Sequence, residues 1–185
     1  MQKASKIILG IDPGTVIMGY GVIEIKGNSM HLIEMGILKL SSAQDSYNRL
    51  EKIHTKVSQL IKAFSPHSFA IEAPFFGKNV QSMLKLGRAQ GVAIAAALSK
   101  NMPITEYSPK KIKMSITGNG NASKEQVAAM LQQLLNFKNT SQHLDATDAL
   151  GAAMCHFFQN KNISSGGKSY TGWKAFLAEN PKRKV

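Results

Sequence analysis

The stretch KIILGIDPGT, residues 6–15, joins a short apolar run to an acid and a Pro-Gly turn and is the first indication of the fold. An apolar run of this length, bounded by charged and turn residues, is typical of a buried strand. Two more strand-like runs follow, Gly19–Lys26 and Met30–Leu40, and the Gly27–Ser29 link between them is a hairpin signal. The first forty residues therefore predict three consecutive strands.

Helical and strand-like patterns alternate after residue 40. The predicted elements are, in order, a helix from Asp45 to Ser65, a strand over Phe69–Glu72, a helix from Gly77 onward, a strand over Ile104–Tyr107, a helix from Ser123 to about Leu135 and a helix from about Gln142 to Phe158. Ser123 and Gln126 have capping-box spacing, and Thr140 or Ser141 would cap the last helix. This order predicts an α/β fold, a mixed five-stranded sheet flanked by helices on both faces.

Length and composition favour one compact domain. The chain has 185 residues, of which 43% are hydrophobic. The longest plainly apolar run, Val92–Leu98, is far shorter than the roughly 20 residues of a membrane span. Cys155 is the only cysteine, which excludes an internal disulfide and fits a reducing cytoplasm. We expect a cytoplasmic protein with a domain over residues 1–160 and a basic, flexible tail over 161–185.

Positive charge is concentrated in two segments. The formal net charge is +12. Lys78 to Lys124 contains eight basic residues and one acid, and the chain from Lys161 onward contains six basic residues and one acid. Such clustering indicates a polyanionic partner, either nucleic acid or an anionic membrane surface. The alternative is a surface that only improves solubility.

Four acids occupy positions from which they could converge. Asp12 and Glu72 each end an apolar strand, and Asp145 and Asp148 lie three apart on a helix and so share a face. Sites in open α/β sheets form beyond the carboxyl ends of the strands. Four carboxylates in one place repel one another, and a hard divalent cation such as Mg²⁺ resolves that repulsion. Two such ions beside a phosphate would support phosphodiester hydrolysis.

Each acid also has a structural explanation. An aspartate before Pro-Gly is a common turn former, and Glu72 could pair with a lysine. Asp145 and Asp148 would suit the first turns of a helix electrostatically. The catalytic interpretation therefore requires a fold that brings the four acids together.

Three blocks of sequence occur in the order and spacing of one known family. They are ILGIDPGT with GYGV (residues 8–22), AIEAPF with KN, KLG and GVA (residues 70–93), and DATDAL (residues 145–150). Together they resemble the RuvC-type Holliday junction resolvases over about residues 6–158. The resemblance implies a ribonuclease-H-like fold and an endonuclease of DNA recombination and repair. Such an enzyme resolves four-way junctions by nicking two strands of like polarity.

The resemblance also implies the catalytic residues. The family's metal ligands fall on Asp12, Glu72, Asp145 and Asp148, with Mg²⁺ as cofactor, two ions per site, and Mn²⁺ as a substitute. Some members have a histidine where Asp145 stands. His143 is a different position, which we interpret as part of the helix entry.

Six residues are expected to contact DNA: Phe75, Lys78, Lys85, Arg88, Lys113 and Lys124. The resemblance implies that Phe75 stacks on a base where strands part, whereas a core position is the alternative. Lys113 and Lys124 flank the loop over residues 118–121 and would neutralise phosphates without reading sequence. The others would line the approach to the site.

Small residues from Gly87 to Ala97 permit close helix packing. The resemblance implies a twofold homodimer through this helix, which suits a substrate with two equivalent strands. The family commonly has an arginine where this chain has Gln90, with Arg88 two places earlier, so the position of the basic group and a dimer contact are open at this point. The resemblance further implies cooperation with the RuvA–RuvB branch-migration complex.

Three other functions compete with this one. An Asp-x-Gly-Thr turn also binds phosphates in actin-like and sugar-kinase-type phosphotransferases, but those folds need two related domains and a second glycine-rich motif. A DNA-binding relative without activity would not need all four acids. A related nuclease acting on RNA or on other branched DNA is compatible with the motifs.

Overall fold

The computed structural model describes residues 5–27, 29–74, 79–137 and 144–164. Its five strands form one sheet in the order β3-β2-β1-β4-β5. The strands are β1 (Lys6–Asp12), β2 (Ile17–Lys26), β3 (Ser29–Lys39), β4 (Ser68–Glu72) and β5 (Ile104–Tyr107). Strands β1, β2 and β3 pair antiparallel, whereas β4 runs parallel to β1 and β5 parallel to β4. The predicted mixed five-stranded sheet is confirmed.

Five helices cover the sheet within the described ranges. They are α1 (Ser46–Phe64), α2 (Val80–Leu98), α3 (Pro109–Thr117), α4 (Lys124–Leu135) and α5 (Leu144–Ser164). The side chain of Asp45 caps α1, and Ser123 with Gln126 forms the predicted capping box of α4. No helix in this part of the chain is long and apolar enough to cross a bilayer.

One helix and two helix boundaries differ from the sequence prediction. Helix α3 was not predicted, although Ser108 caps it and Pro109 occupies its first turn, a recognised start signal. Helix α5 continues past Phe158 to Ser164, and α2 begins at Val80. Gly77 and the caps proposed at Thr140 and Ser141 lie outside the described residues, as does His143. The tail beyond Ser164 also lies outside them, so the proposed domain boundary stays a prediction.

Alternation along the strands divides the core into two layers. Ile8 of β1 packs with α3, α4 and α5 on one face, and Leu9 and Ile11 pack with α1 and α2 on the other. Since successive side chains of a strand point to opposite faces, Asp12 belongs to the α5 face. Ala70 of β4 also packs on the α5 face, which places Glu72 there by the same alternation.

Helix α5 lies directly against the sheet because the strands beneath it present glycines. A Cβ atom at Gly19 would overlap the carbonyl oxygen of Asp145, and one at Gly21 would press on the backbone of Leu150. Gly10 is equally close to the backbone of α5 at Ala149. The glycines therefore fix how near the first turns of α5 come to the strand ends.

Gln90 points into the molecule from α2. Its side chain is 7% exposed, and its amide nitrogen donates a 2.7 Å hydrogen bond to the carboxylate of Glu106 on β5. The departure from the family's arginine therefore affects the packing of α2 on β5. Arg88, by contrast, is exposed on α2.

Candidate active site

Two of the four acids end adjacent parallel strands. The register of β1 and β4 pairs Ile11 with Ile71, and the next residues along the two strands are Asp12 and Glu72. Both lie on the α5 face of the sheet by strand alternation. The parallel pairing thus brings carboxyl groups sixty residues apart in sequence to the same edge.

The other two acids belong to the start of α5. Asp145 and Asp148 lie three apart and therefore share one side of the helix. One carboxylate oxygen from each of Asp12, Asp145 and Asp148 can be chosen so that all three lie within 4.8 Å of one another. Glu72 is close enough for the charges of Asp12 and Asp148 to raise its pKa. The fold therefore brings the four predicted acids to one place.

Burial and mutual repulsion hold protons on two of these acids when no cation is present. Desolvation, with added repulsion from Asp148 and Asp145, raises the pKa of Asp12 to about 7. Desolvation, with repulsion from Asp12 and Asp148, raises the pKa of Glu72 to about 8. The lysines nearby oppose both shifts but do not cancel them. The site accordingly has less positive charge than its carboxylates require.

Lys124, at the start of α4, supplies part of that positive charge. Its ammonium group donates a 2.5 Å hydrogen bond to Oδ2 of Asp148. Burial alone would lower the pKa of Lys124, but this hydrogen bond and the charges of Asp148, Asp12 and Asp145 raise it. Burial raises the pKa of Asp148, and Lys124 opposes that rise. Lys124 is therefore a charged partner of the acid cluster.

Lys113 approaches the site from α3, the helix that the sequence analysis missed. Its positive charge lowers the pKa of both Glu72 and Asp148, which places its ammonium group near them. Helix α3 is held against α5 by a 3.2 Å contact between Ser115 Oγ and Cys155 Sγ. The loop between α3 and α4 thus has one site lysine on each side, as expected from the sequence.

The donor set fits a hard divalent cation. Carboxylate oxygens are the ligands that Mg²⁺ and Mn²⁺ take in proteins, and three carboxylates meet here at metal-binding separation. The raised pKa values of Asp12 and Glu72 show that their negative charges are uncompensated by the chain itself. A cation bound by these acids would remove that repulsion.

The remaining predicted residues divide into two groups. Lys85 and Arg88 lie on α2 and border a cleft beside Thr15, near the strand end that holds Asp12. Phe75 and Lys78 lie outside the described residues, so their roles stay predictions. Nothing in the described structure places Lys85 or Arg88 in contact with the acids.

Arg49 was missed by the sequence analysis. Its guanidinium donates a 3.1 Å hydrogen bond to the carbonyl oxygen of Thr15, in the loop that follows Asp12. A signal for it existed, because position 49 falls on the apolar stripe of α1 beside Leu50 and Ile53. A basic residue on an apolar helix face either has a specific polar partner or lowers the stability of the fold.

Comparison with known proteins gives consistent matches. The family model of the crossover junction endodeoxyribonuclease RuvC matches residues 8–156. The protein of that name from Christiangramia forsetii is 60% identical over 181 residues, covering 98% of this chain and 94% of its own. The one from Bacteroides fragilis is 59% identical over 181 residues, covering 96% of this chain and 95% of its own.

Solved structures agree with the fold. Thermus thermophilus RuvC, in a complex with a Holliday junction substrate, matches with a TM-score of 0.80 and 31% identity, over 86% of this chain and 97% of that chain. The yeast mitochondrial Holliday junction resolvase Ydc2 matches with a TM-score of 0.62 at 14% identity, over 84% of this chain and 81% of its own. The second likeness shows the shared fold alone.

Proposed function

Because the chain belongs to the RuvC family of crossover junction endodeoxyribonucleases, we propose that it resolves four-way DNA junctions in recombination and repair. It nicks two strands of like polarity by hydrolysing one phosphodiester bond in each, with Mg²⁺ as cofactor. The observation that carries this proposal is the convergence of Asp12, Asp145 and Asp148 within 4.8 Å.

The four acids have the role of metal ligands in this proposal. They would hold Mg²⁺, expected as two ions per site and replaceable by Mn²⁺, and the bound ions would supply activation of the attacking water and stabilisation of the leaving oxygen. Asp12 and Glu72 hold their positions through the paired ends of β1 and β4, and Asp145 and Asp148 through the first turns of α5. Lys124 opposes the rise in the pKa of Asp148 through its hydrogen bond.

Basic residues around the acids hold the DNA. Lys113 and Lys124 neutralise phosphates next to the scissile bond, and Lys85 and Arg88 bind the strand farther along its path. Phe75 stacks on a base where the strands separate, and Lys78 contributes charge beside it. These contacts recognise the charge and the branching of the junction.

A twofold homodimer supplies the second active site. On α2, Val80, Leu84 and Leu98 are 68%, 53% and 58% exposed, and nothing lies within 4 Å of a Cβ built at Gly87 or Gly91. The spacing of these five residues puts them on one outward stripe of the helix. Two copies can pack this stripe closely because the glycines permit near approach of the backbones. From family membership alone, we extend the proposal to cooperation with RuvA–RuvB and a cytoplasmic location.

Cleavage of defined substrates tests this function. Labelled four-way, linear duplex and RNA–DNA hybrid substrates are incubated with the protein, in Mg²⁺ or in EDTA. We expect paired symmetric nicks in the four-way substrate only, and only with Mg²⁺. Asp12→Asn and Glu72→Gln should abolish the nicks while junction binding persists, whereas Glu51→Gln, an exposed acid on α1, should cut normally.

Three results would contradict the proposal. Wild-type rates from Asp12→Asn or Glu72→Gln would remove the acids from the reaction. Cleavage of the RNA–DNA hybrid in preference to the junction would indicate a different nuclease. Metal-dependent ATP hydrolysis without nicking would favour a phosphotransferase.

A further inference from the structure

A cleft opens where the loop after Asp12 meets α1 and α2. It is partly open to solvent, its cavity volume is about 30 Å³, and its wall is mostly apolar. Its polar lining residues are Thr15, Ser46, Arg49, Lys85 and Arg88. Three of these are basic and none is acidic, so the cleft combines an apolar wall with positive charge.

Arg49 has hydrogen-bonding capacity that the described residues do not use. One guanidinium nitrogen donates to the carbonyl oxygen of Thr15 at 3.1 Å, but Nε is buried and has no partner in this part of the structure. A buried donor without a partner costs free energy, so it calls for an explanation such as a missing ligand. Arginine is well suited to phosphate, because its planar group can donate two hydrogen bonds at once.

No acid of the described chain neutralises this charge. The ion pairs found there join Lys26 to Glu24 and Lys124 to Asp148, so none involves Arg49, Lys85 or Arg88. The acid nearest to Ser46 in sequence is Asp45, whose carboxylate accepts hydrogen bonds from two backbone amides as the cap of α1. An anion from outside the chain would therefore complete the cleft.

We propose that this cleft is a subsite for one backbone phosphate of the strand that is cut, with the attached sugar against the apolar wall. The inference rests on the proposed function and deepens it. Thr15 follows Asp12 by three residues, so their Cα atoms are at most about 11 Å apart. At about 3.4 Å of rise per nucleotide, this separation corresponds to roughly three nucleotides, which sets the range of phosphate positions to test. Through Thr15, Arg49 links strand binding to the loop that follows Asp12.

The test combines protein variants with altered DNA. Each synthetic junction in a series carries a single uncharged methylphosphonate, and the series covers every position within about three nucleotides of the cut. Their affinity is measured in EDTA for the wild type, Arg49→Gln, Ser46→Glu and Ser46→Gln. Ser46→Glu puts a negative charge in the cleft, and an acid in the first turn of α1 is favoured by the helix dipole, so the fold is preserved. Ser46→Gln has similar size without the charge.

We expect one methylphosphonate position to weaken wild-type binding about tenfold, the effect of losing one charged hydrogen bond. The same methylphosphonate should hardly weaken binding by Ser46→Glu and Arg49→Gln any further, because these variants have already lost the phosphate contact. Ser46→Gln should behave much more like the wild type. Lys62→Gln, an exposed charge at the far end of α1, controls for the general loss of positive charge and should retain the full tenfold effect.

Equal losses in the wild type and in Ser46→Glu at every position would overturn the subsite. That result leaves the proposed function intact if the wild type still makes paired nicks in the unmodified junction. Absence of nicking by the wild type would instead contradict the proposed function. Unfolding curves of all variants, measured in parallel, show whether Arg49→Gln is folded, and Ser46→Glu decides the question if it is not.

Discussion

At the scale of single residues, the acids at the ends of β1 and β4 oppose folding when no cation is bound. Their pKa values, about 7 for Asp12 and about 8 for Glu72, exceed the ordinary values of 3.8 and 4.5. The folded state therefore holds more protons than the unfolded state between these limits, and stability falls as pH rises through them. A bound cation would remove this cost, so protons and metal are expected to compete for the site.

This competition gives a prediction about stability. Mg²⁺ should raise the unfolding midpoint of the wild type more at about pH 8.5 than at about pH 6. Relief of about 2 kcal/mol would correspond to roughly 4–8 °C in a chain of this size. Asp12→Asn should be less sensitive to pH without metal and should gain less from Mg²⁺. Thermal unfolding measures the midpoint of each protein over this pH range. If the midpoints of the wild type and of Asp12→Asn changed with pH by the same amount, the raised pKa of Asp12 would be refuted.

Lys124 leads to a second prediction, on catalysis. Lys124→Gln removes the hydrogen bond to Asp148 and a positive charge at the site. We expect the single-turnover cleavage rate to fall by roughly 10²-fold or more, the usual cost of losing a charge-stabilising donor. Lys110→Gln, an exposed lysine of α3 that packs beside Gly120, should lose much less. Similar losses in the two variants would make Lys124 an ordinary member of the basic surface.

The acids of the candidate site were easier to recognise in the sequence than the tertiary contacts around them. Asp12 and Glu72 are visible because each directly ends an apolar run, and Asp145 and Asp148 because of their helical spacing. The contacts of Arg49 with Thr15 and of Gln90 with Glu106 join residues 34 and 16 apart, and no local pattern encodes such pairs. These contacts depend on the position and orientation in which α1 and α2 pack on the sheet.

At the scale of elements, the distance between α5 and β2 determines where the acids of α5 lie. Gly19→Ala would place a Cβ on the carbonyl oxygen of Asp145 and close to Ala149. We expect α5 to shift, with a loss of about 1–3 kcal/mol in the free energy of unfolding and weaker stabilisation by Mg²⁺. Thr55→Ala, at an exposed position of α1, should be neutral or stabilising by about 0.5 kcal/mol. Chemical unfolding with and without Mg²⁺ measures the stability of both variants. If Gly19→Ala had the stability of the wild type, the contact at Gly19 would not determine the position of α5.

Helices with a long apolar period were predictable, and the short helix α3 was not. Helix α1 was expected because Ile53, Val57 and Leu60 repeat at helical spacing. Helix α3 has only 9 residues and two buried positions, Ile112 and Ile116, too few to establish a period. Its packing on α5 makes it a helix in the folded chain, and the Ser108-Pro109 start was the one local sign of it.

At the scale of the whole molecule, the small residues of α2 serve two surfaces. Ala89, Ala93, Ala96 and Ala97 are buried against the rest of the fold, whereas Gly87 and Gly91 are exposed on the outward stripe with Leu84. The sequence suggested close packing along the helix but did not separate inward from outward residues. The structure separates them, and only the outward set is exposed for the proposed contact with a second copy.

Leu84 lies within that outward stripe, beside Val80 and Gly87 in a groove along α2. Leu84→Glu would bury a charge in each half of a twofold interface without a partner, a cost of several kcal/mol that outweighs a modest dimer. We expect this variant to have the mass of a single chain by light scattering and to nick the two junction strands independently. Ile33→Glu makes the same change at an apolar residue of β3 that is 40% exposed, and it should keep the double mass and the paired nicks. If Leu84→Glu kept the double mass and the paired nicks, the second copy would have to bind another face of the protein. The two equivalent strands of the junction would then be reached through a different dimer surface.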